Sequence, residues 1–212
     1  MRIAIYDLDR TLTARATFTP FLLFAARRLA PLRLLLAPVW VLAMLYYKLG
    51  LCSRTALKAF GMRLMLGEHA RGDLAGTAQA FSQAHIARGG WRQDIIRALE
   101  QDRAAGYRPI IATAAFEFYA AAFAKLLRID TVIGTRWDGD GIPGGNCYGE
   151  EKLARVEAWL EGEGASLAAA ETRFYSDSFA DAPLLDRVKD PVFVTDSEGE
   201  RERAAERGWR AP

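Results

Sequence analysis

Cysteine and histidine, the side chains that build many metal and nucleophilic sites, are nearly missing from this chain of 212 residues, which has two of each. Cys52 and Cys147 make neither a disulfide framework nor a CxxC metal pair, so both are expected as free, small buried residues in a reducing compartment. His69 and His85 lie away from every motif described below and are expected to be structural or surface residues. A cleavable signal is lacking too: Met1-Arg2 leads straight into an apolar run that Asp7 interrupts, which predicts a cytoplasmic chain. Zinc-finger spacing, an RNP motif and a basic-aromatic stripe are absent, and no nucleic-acid partner is expected. With 51% hydrophobic residues, the chain holds enough apolar material for one domain of ordinary size with a subdomain, which excludes disorder.

Acid is the other scarcity, and it is local. Residues 1–70 hold ten Lys and Arg against three Asp and Glu, a net +7, leaving 18 against 23 for the remainder. Such a split implies that the first part faces an anionic surface or substrate. The same part lacks strand signals. After a short apolar strand over residues 3–6, residues 14–105 read as helical, whereas residues 108–113, 131–137, 172–177 and 191–195 read as strands. Residues 116–127, 149–160 and 181–188 read as the helices between them. Strands separated by helices imply βαβ crossovers, hence an α/β fold with a doubly wound parallel sheet, Rossmann-like, and an inserted helical cap. The predicted division is a core of residues 1–13 and 106–212 and a cap of 14–105. Residues 138–145 are turn chemistry, and the charged tail from Glu198 predicts a terminal helix.

Inside the cap, residues 34–47 run without a charge between Arg33 and Lys48. As a helix they cover about 21 Å, short of a hydrocarbon core of roughly 30 Å, although snorkelling by Arg33 and Lys48 extends the reach. A single crossing would leave Asp7 across the bilayer from strands that must share its sheet. Residues 53–67 supply no second crossing, because they carry Arg54, Lys58 and Arg63. They place Leu57, Phe60, Gly61 and Leu64 at helical spacing with the cations elsewhere, an amphipathic pattern. The expectation is a helical hairpin lying on, or dipping into, an anionic membrane, at the cytoplasmic face of the inner membrane. The competing expectation is a buried cap with solvated basic faces. Trp40, Tyr46 and Tyr47 fit either, as interfacial aromatics or as core.

The chemistry concentrates at strand ends. In "IAIYDLDRTLT" the acids Asp7 and Asp9, with Thr11, follow the first strand directly; Thr113 ends the second, Lys152 opens a helix, and Asp177 and Asp181 follow another strand. In a parallel sheet these ends converge on one edge, where ligands bind. Four carboxylates, two hydroxyls and an ammonium gathered there suit metal-assisted phosphoryl transfer. The set resembles the haloacid dehalogenase superfamily, whose four motifs match "DLDRT", "IIATAA", the Lys152 of "YGEEK" and "YSDSFAD" in order and approximate spacing. "FYAAAFAKLL", "VIGTRW" and "NCYGEEK" are similar to its phosphoserine-phosphatase-like subfamily, and the cap beginning "TFTPFLLFAARR" is most similar to that of the bacterial phosphatidylglycerophosphatase C group.

The resemblance implies a Mg²⁺-dependent phosphomonoesterase. Asp7 would be the nucleophile, forming an aspartyl-phosphate, and Asp9 the general acid and base. Asp7 and Asp177 would be side-chain metal ligands, the Asp9 carbonyl a further one, and Asp181 a support for the metal or its waters. Thr113 and Lys152 would bind the phosphoryl group, Lys152 offsetting the repulsion between carboxylate and phosphate. Arg10 stands where the family usually has glycine, and is expected either to bind a second anionic group or to point outward. Ala114-Ala115 and Ala180 supply no polar contact for a small amino-acid substrate, and the cap is almost without acids to hold an ammonium before Glu68. These departures favour a lipid phosphate such as phosphatidylglycerophosphate over phosphoserine or another small soluble monoester. A non-catalytic regulator on the same fold is the third expectation.

Overall fold

Along the first strand Ile3 and Ile5 face one side and Ala4 and Tyr6 the other, and all four are fully buried. A strand apolar on both faces must lie inside a sheet that is covered twice. In the computed structural model, which describes residues 1–211, β1 (Arg2–Tyr6), β2 (Arg108–Phe116), β3 (Val132–Thr135), β4 (Glu171–Ser176) and β5 (Asp190–Phe193) form one sheet in the order β3-β2-β1-β4-β5. Every pairing is parallel, with Ile5 of β1 opposite Ile110 of β2 and Phe174 of β4.

Between β1 and β2 the chain forms only helices: α1 (Phe18–Leu29), a 3₁₀ segment (Pro31–Leu36), α2 (Ala37–Lys48), α3 (Arg54–Leu66), α4 (Ala75–Ile86) and α5 (Gln93–Ala104). Then come α6 (Glu117–Leu126), α7 (Glu150–Gly162), α8 (Ala182–Leu185) and α9 (Glu198–Glu206). Tyr6, Leu99 of α5 and Tyr119 and Phe123 of α6 share one core with Phe21, Met62 and Phe81 of the inserted helices. Ile3, Ile5, Val156 and Leu160 of α7, Leu184 of α8 and Trp209 share the other. The chain thus steps from β1 outward through β2 to β3 with α6 on one face. It then returns to the far side of β1 for β4 and β5, with α7 and α8 on the opposite face. The reversal falls between β1 and β4, the place where such sheets open a crevice at their carboxyl ends.

The doubly wound parallel sheet expected from the sequence is present, and two local expectations need correction. Strand β2 runs past Thr113 to Phe116, because its register shifts between Ala112 and Phe116 and lets Phe116 pair with Thr135 of β3. Thr113 therefore sits at an irregularity inside the strand. The cations of α3 do not all lie on a solvated face: Lys58 is buried, and Gly61 is packed so closely that a Cβ there would meet Trp40 at 2.8 Å and Leu22 at 2.9 Å. Trp40 is the buried residue of α2.

The rest of the segment Pro31–Lys48 stands outward. It is 18 residues long with mean hydropathy 1.2, and 6% of it is buried. By length and composition it is the one helical segment among the described residues apolar enough to cross a membrane. Leu32 and Leu35 are 82% and 80% exposed, and Val41, Leu42, Leu45, Leu49 and Leu51 are exposed with them. A contiguous apolar surface of this kind marks an interaction face.

Helix α5 is tied to the sheet by a buried carboxylate. Asp102 accepts hydrogen bonds from the Tyr6 hydroxyl at 2.5 Å and the Tyr175 hydroxyl at 3.0 Å, and pairs with the Arg173 guanidinium. The two tyrosine rings stack at 4.7 Å. Replacing Asp102 leaves a cation and two hydroxyls short of their acceptor, so Asp102→Ala is expected to cost about 3 kcal/mol or more in urea unfolding. A loss below about 1 kcal/mol, the worth of an exposed pair, would contradict this account of the network.

Candidate active site

Asp7 leaves the end of β1 with its backbone N–H donating to the Tyr175 carbonyl of β4 at 2.9 Å, which places its carboxylate at the reversal point between those strands. The chain then makes one wide turn over Leu8–Leu12, in which Arg10 takes a left-handed conformation (φ 59°, ψ 3°). An L side chain pays about 1–2 kcal/mol for that region. Glycine pays none, which fits the resemblance noted for this position. The turn aims Asp9 toward the inserted helices, where its Oδ1 accepts from the Thr17 N–H at 2.8 Å and the Thr17 hydroxyl at 2.6 Å. Thr11, fully buried, accepts from the Asp177 N–H at 3.1 Å and so ties this turn to the one after β4.

The ammonium of Lys152 arrives from the first turn of α7, after Gly149 at φ 60°, and is 1% exposed. Its Nζ donates to Asp7 Oδ1 at 3.0 Å and to Asp181 Oδ2 at 2.6 Å. Asp181 Oδ2 also accepts from the Ser176 hydroxyl at 2.6 Å, whereas Asp181 Oδ1 is buried with no partner. Burial outweighs the pull of Lys152 and, with repulsion from the neighbouring acids, pushes the Asp7 carboxyl up to about 7. Burial likewise pushes Asp177 up to about 6, against the pull of Arg10. The pair of acids raises the Lys152 ammonium well above its ordinary value, despite its burial.

Asp7, Asp9, Arg10, Thr113, Lys152, Asp177 and Asp181, the seven residues singled out in the sequence, all line one cavity of about 430 Å³. Thr113 is buried, its hydroxyl accepting from the Ala115 N–H at 3.1 Å. The inserted helices supply the opposite wall through Phe18, Trp40, Met44, Tyr47, Lys48, Arg54, Leu57 and Lys58. Sequence reasoning missed the cations among these. Lys58 donates to the Ala114 carbonyl and to Asn146 Oδ1 at 2.8 Å, which pins α3 to the irregular end of β2; burial lowers its ammonium to about 7. Arg54 donates to the Tyr47 hydroxyl at 3.3 Å and lies 4.0 Å over the Tyr148 ring. The signal that was available is spacing: Lys58 stands one turn before Met62 and two before Met65, on the buried stripe of α3.

The donors at the sheet edge are oxygen atoms, the choice of a hard cation. Among the described residues no three acids, histidines or cysteines converge to cage an ion by themselves. A cation bound by two carboxylates, a backbone carbonyl, waters and a substrate phosphate fits that arrangement, and this is the habit of Mg²⁺. Burial, with repulsion among the acids, raises Asp7 and Asp177, and one Asp181 oxygen lacks a partner; a cation at this edge would relieve all three.

Residues 4–186 match the family described as haloacid dehalogenase-like hydrolase. A histidinol-phosphatase of Neisseria meningitidis is 36% identical over 120 residues, 52% of this chain, and the match spans 54% of that protein's length. A solved structure of a Bordetella pertussis protein with unknown function superposes with a TM-score of 0.86 at 29% identity, covering 99% of this chain and 97% of that one. A phosphoserine phosphohydrolase-like protein from Francisella tularensis shares the fold at 15% identity, with a TM-score of 0.62 over 100% of this chain and 95% of that one.

A carboxyl whose pKa in the fold exceeds its unfolded value favours the protonated form. The stability it contributes is full below about pH 4 and is lost as pH rises through the window of about 6 to 7 set by Asp177 and Asp7. A divalent cation reverses that loss. Chelator-treated protein is therefore expected to gain more in melting temperature from added Mg²⁺ near pH 8 than near pH 5, with the difference reduced in Asp7→Asn. A Mg²⁺ effect independent of pH would contradict the charge balance described.

Proposed function

This chain belongs to the haloacid dehalogenase-like hydrolases and is a phosphoric monoester hydrolase, and from that premise we propose that it removes the phosphate of a lipid phosphomonoester such as phosphatidylglycerophosphate. In this reading Asp7 attacks phosphorus and carries it as an aspartyl-phosphate, which divides one difficult displacement into two. Lys152, hydrogen-bonded to Asp7 Oδ1, offsets the repulsion that an approaching phosphate meets, about 4 kcal/mol for each pair of unit charges 4 Å apart at an effective dielectric of 20. Thr113 hydrogen-bonds a phosphoryl oxygen. Asp9, oriented through one oxygen by Thr17, keeps the other free to protonate the leaving oxygen and then to take a proton from the attacking water. Asp7, Asp177 and the Asp9 carbonyl would hold Mg²⁺, with Asp181 supporting from behind; the ion supplies positive charge at the phosphoryl oxygens.

One observation carries the substrate class. Helix α2 walls the reaction cavity with Trp40, Met44 and Tyr47 while its other residues, Val41, Leu42 and Leu45, stand exposed to the surroundings. A membrane touching that outer face would present lipid beside the catalytic edge. The cavity's electrostatics agree: outside the acids and Lys152 at the reaction edge, its charged groups are Arg10, Lys48, Arg54 and Lys58. An amino-alcohol or amino-acid phosphate would bring its ammonium toward these cations, whereas phosphatidylglycerophosphate brings a second, anionic phosphodiester. In the same reading residues 14–105 are the membrane-facing cap on a core of 1–13 and 106–212, and the enzyme works at the cytoplasmic face of the inner membrane. The likeness to a histidinol-phosphatase is the observation that favours the second reading, a small soluble monoester.

A phosphate-release assay with Mg²⁺ separates the two. Phosphatidylglycerophosphate in mixed micelles is expected to exceed histidinol phosphate, phosphoserine and sugar phosphates by about tenfold or more in kcat/KM, equivalent to about 1.4 kcal/mol of transition-state binding. Faster turnover of any of the soluble esters would overturn the lipid assignment.

A further inference from the structure

A second and larger cavity, about 840 Å³, opens on the other side of the start of α1, and Thr19 lines both it and the catalytic one. Its charged side chains are Arg15, Arg27, Arg28 and Arg88, with no acid among them. None of the four pairs with a carboxylate among the described residues, whereas about half of the arginines elsewhere do. Four guanidinium groups around one concavity repel each other and attract anions, and the folded chain leaves that attraction unused. The floor is apolar, with Phe24 half-buried and Phe81 buried, and Leu23 at 38% exposure on the rim. From Arg27 and Arg28 the chain passes directly into Pro31–Leu36, where Leu32 and Leu35 are the most exposed large apolar residues of the molecule.

Cations around an apolar floor, continuous in the chain with leucines that stand outward, fit a molecule with an anionic head on an apolar body held in a layer of its own kind. Building on the membrane reading above, we infer that this groove binds the headgroup phosphodiester of an anionic phospholipid, separate from the substrate, and fixes how the cap sits on the bilayer. The guanidinium forks take the phosphodiester oxygens, in the geometry that suits arginine better than lysine. Leu23, Leu32 and Leu35 enter the acyl boundary beside it. A volume of this order belongs to sites for drug-sized ligands, which leaves room for a glycerophosphodiester head.

The test compares the full-length protein with a triple variant, Arg27→Gln, Arg28→Gln, Arg88→Gln, none of which lines the catalytic cavity. Co-sedimentation uses vesicles of phosphatidylcholine with and without phosphatidylglycerol at an ionic strength of roughly 0.1 M. The wild type is expected to bind the phosphatidylglycerol vesicles preferentially. The triple variant should bind them about a hundredfold more weakly, three basic contacts at about 1 kcal/mol each, with melting temperature and p-nitrophenyl phosphate turnover unchanged. A triple lysine variant, which keeps the charge and loses the forks, should bind more tightly than the glutamine variant and more weakly than the wild type. Unchanged vesicle binding by the glutamine variant would overturn the inference. So would displacement of the wild type by inorganic phosphate at matched ionic strength, since the groove would then be a site for small free anions. Hydrolysis of phosphatidylglycerophosphate in detergent micelles, where no bilayer exists, tests the underlying substrate reading separately from this groove.

Discussion

The ammonium of Lys152, buried between Asp7 and Asp181, is the contact on which the rest of the structure turns. It joins the end of β1 to the start of α7 and the turn after β4, 145 residues along the chain from Asp7 to Lys152, at the point where the sheet reverses its winding. Buried charges are tolerated only when paired, and removing one partner of such a pair costs about 3–5 kcal/mol because the other is left uncompensated. The acids exceed the cation in number, and their repulsion adds to the burial that raises Asp7 and Asp177. In the proposed function such a cluster would accept a divalent ion and, with it, a phosphate, work that bracing a fold does not require.

The inserted helices are held to that edge by polar contacts of the same kind. Thr17 grips Asp9, and Lys58 reaches from α3 to the Ala114 carbonyl and Asn146. These links set the distance between the acids and Arg54, Lys48 and Lys58, which line the same cavity. The same helices turn an unusual amount of apolar surface outward, and the charge excess of the first seventy residues lies on them. The proposed membrane contact would account for the composition, the exposed leucines and the arginine groove together.

Much of this was legible in the sequence for physical reasons that can be named. The run Ile3–Tyr6 is apolar at every position because β1 is covered on both faces, and the acids after it fall at the strand end because a parallel sheet gathers its carboxyl ends. Local composition ends β2 at Thr113, but the strand continues to Phe116, since a register shift depends on the partner β3. The amphipathic pattern of α3 puts its cations off the apolar stripe, yet Lys58 is buried; its acceptors, Ala114 and Asn146, lie on distant segments that no helical period reveals. The sequence fits Trp40 to interface or core alike, and Gly61 decides it for the core by offering a gap into which the indole fits.

The central claim is that Asp7 receives the phosphorus, and peptide mapping of a covalent intermediate tests it most directly. Turnover of a ³²P-labelled monoester quenched within the first cycle, followed by borohydride reduction of the acyl phosphate, is predicted to convert Asp7 alone to homoserine. Reduction at another aspartate, or label released as phosphate with no protein-bound stage, would contradict the account.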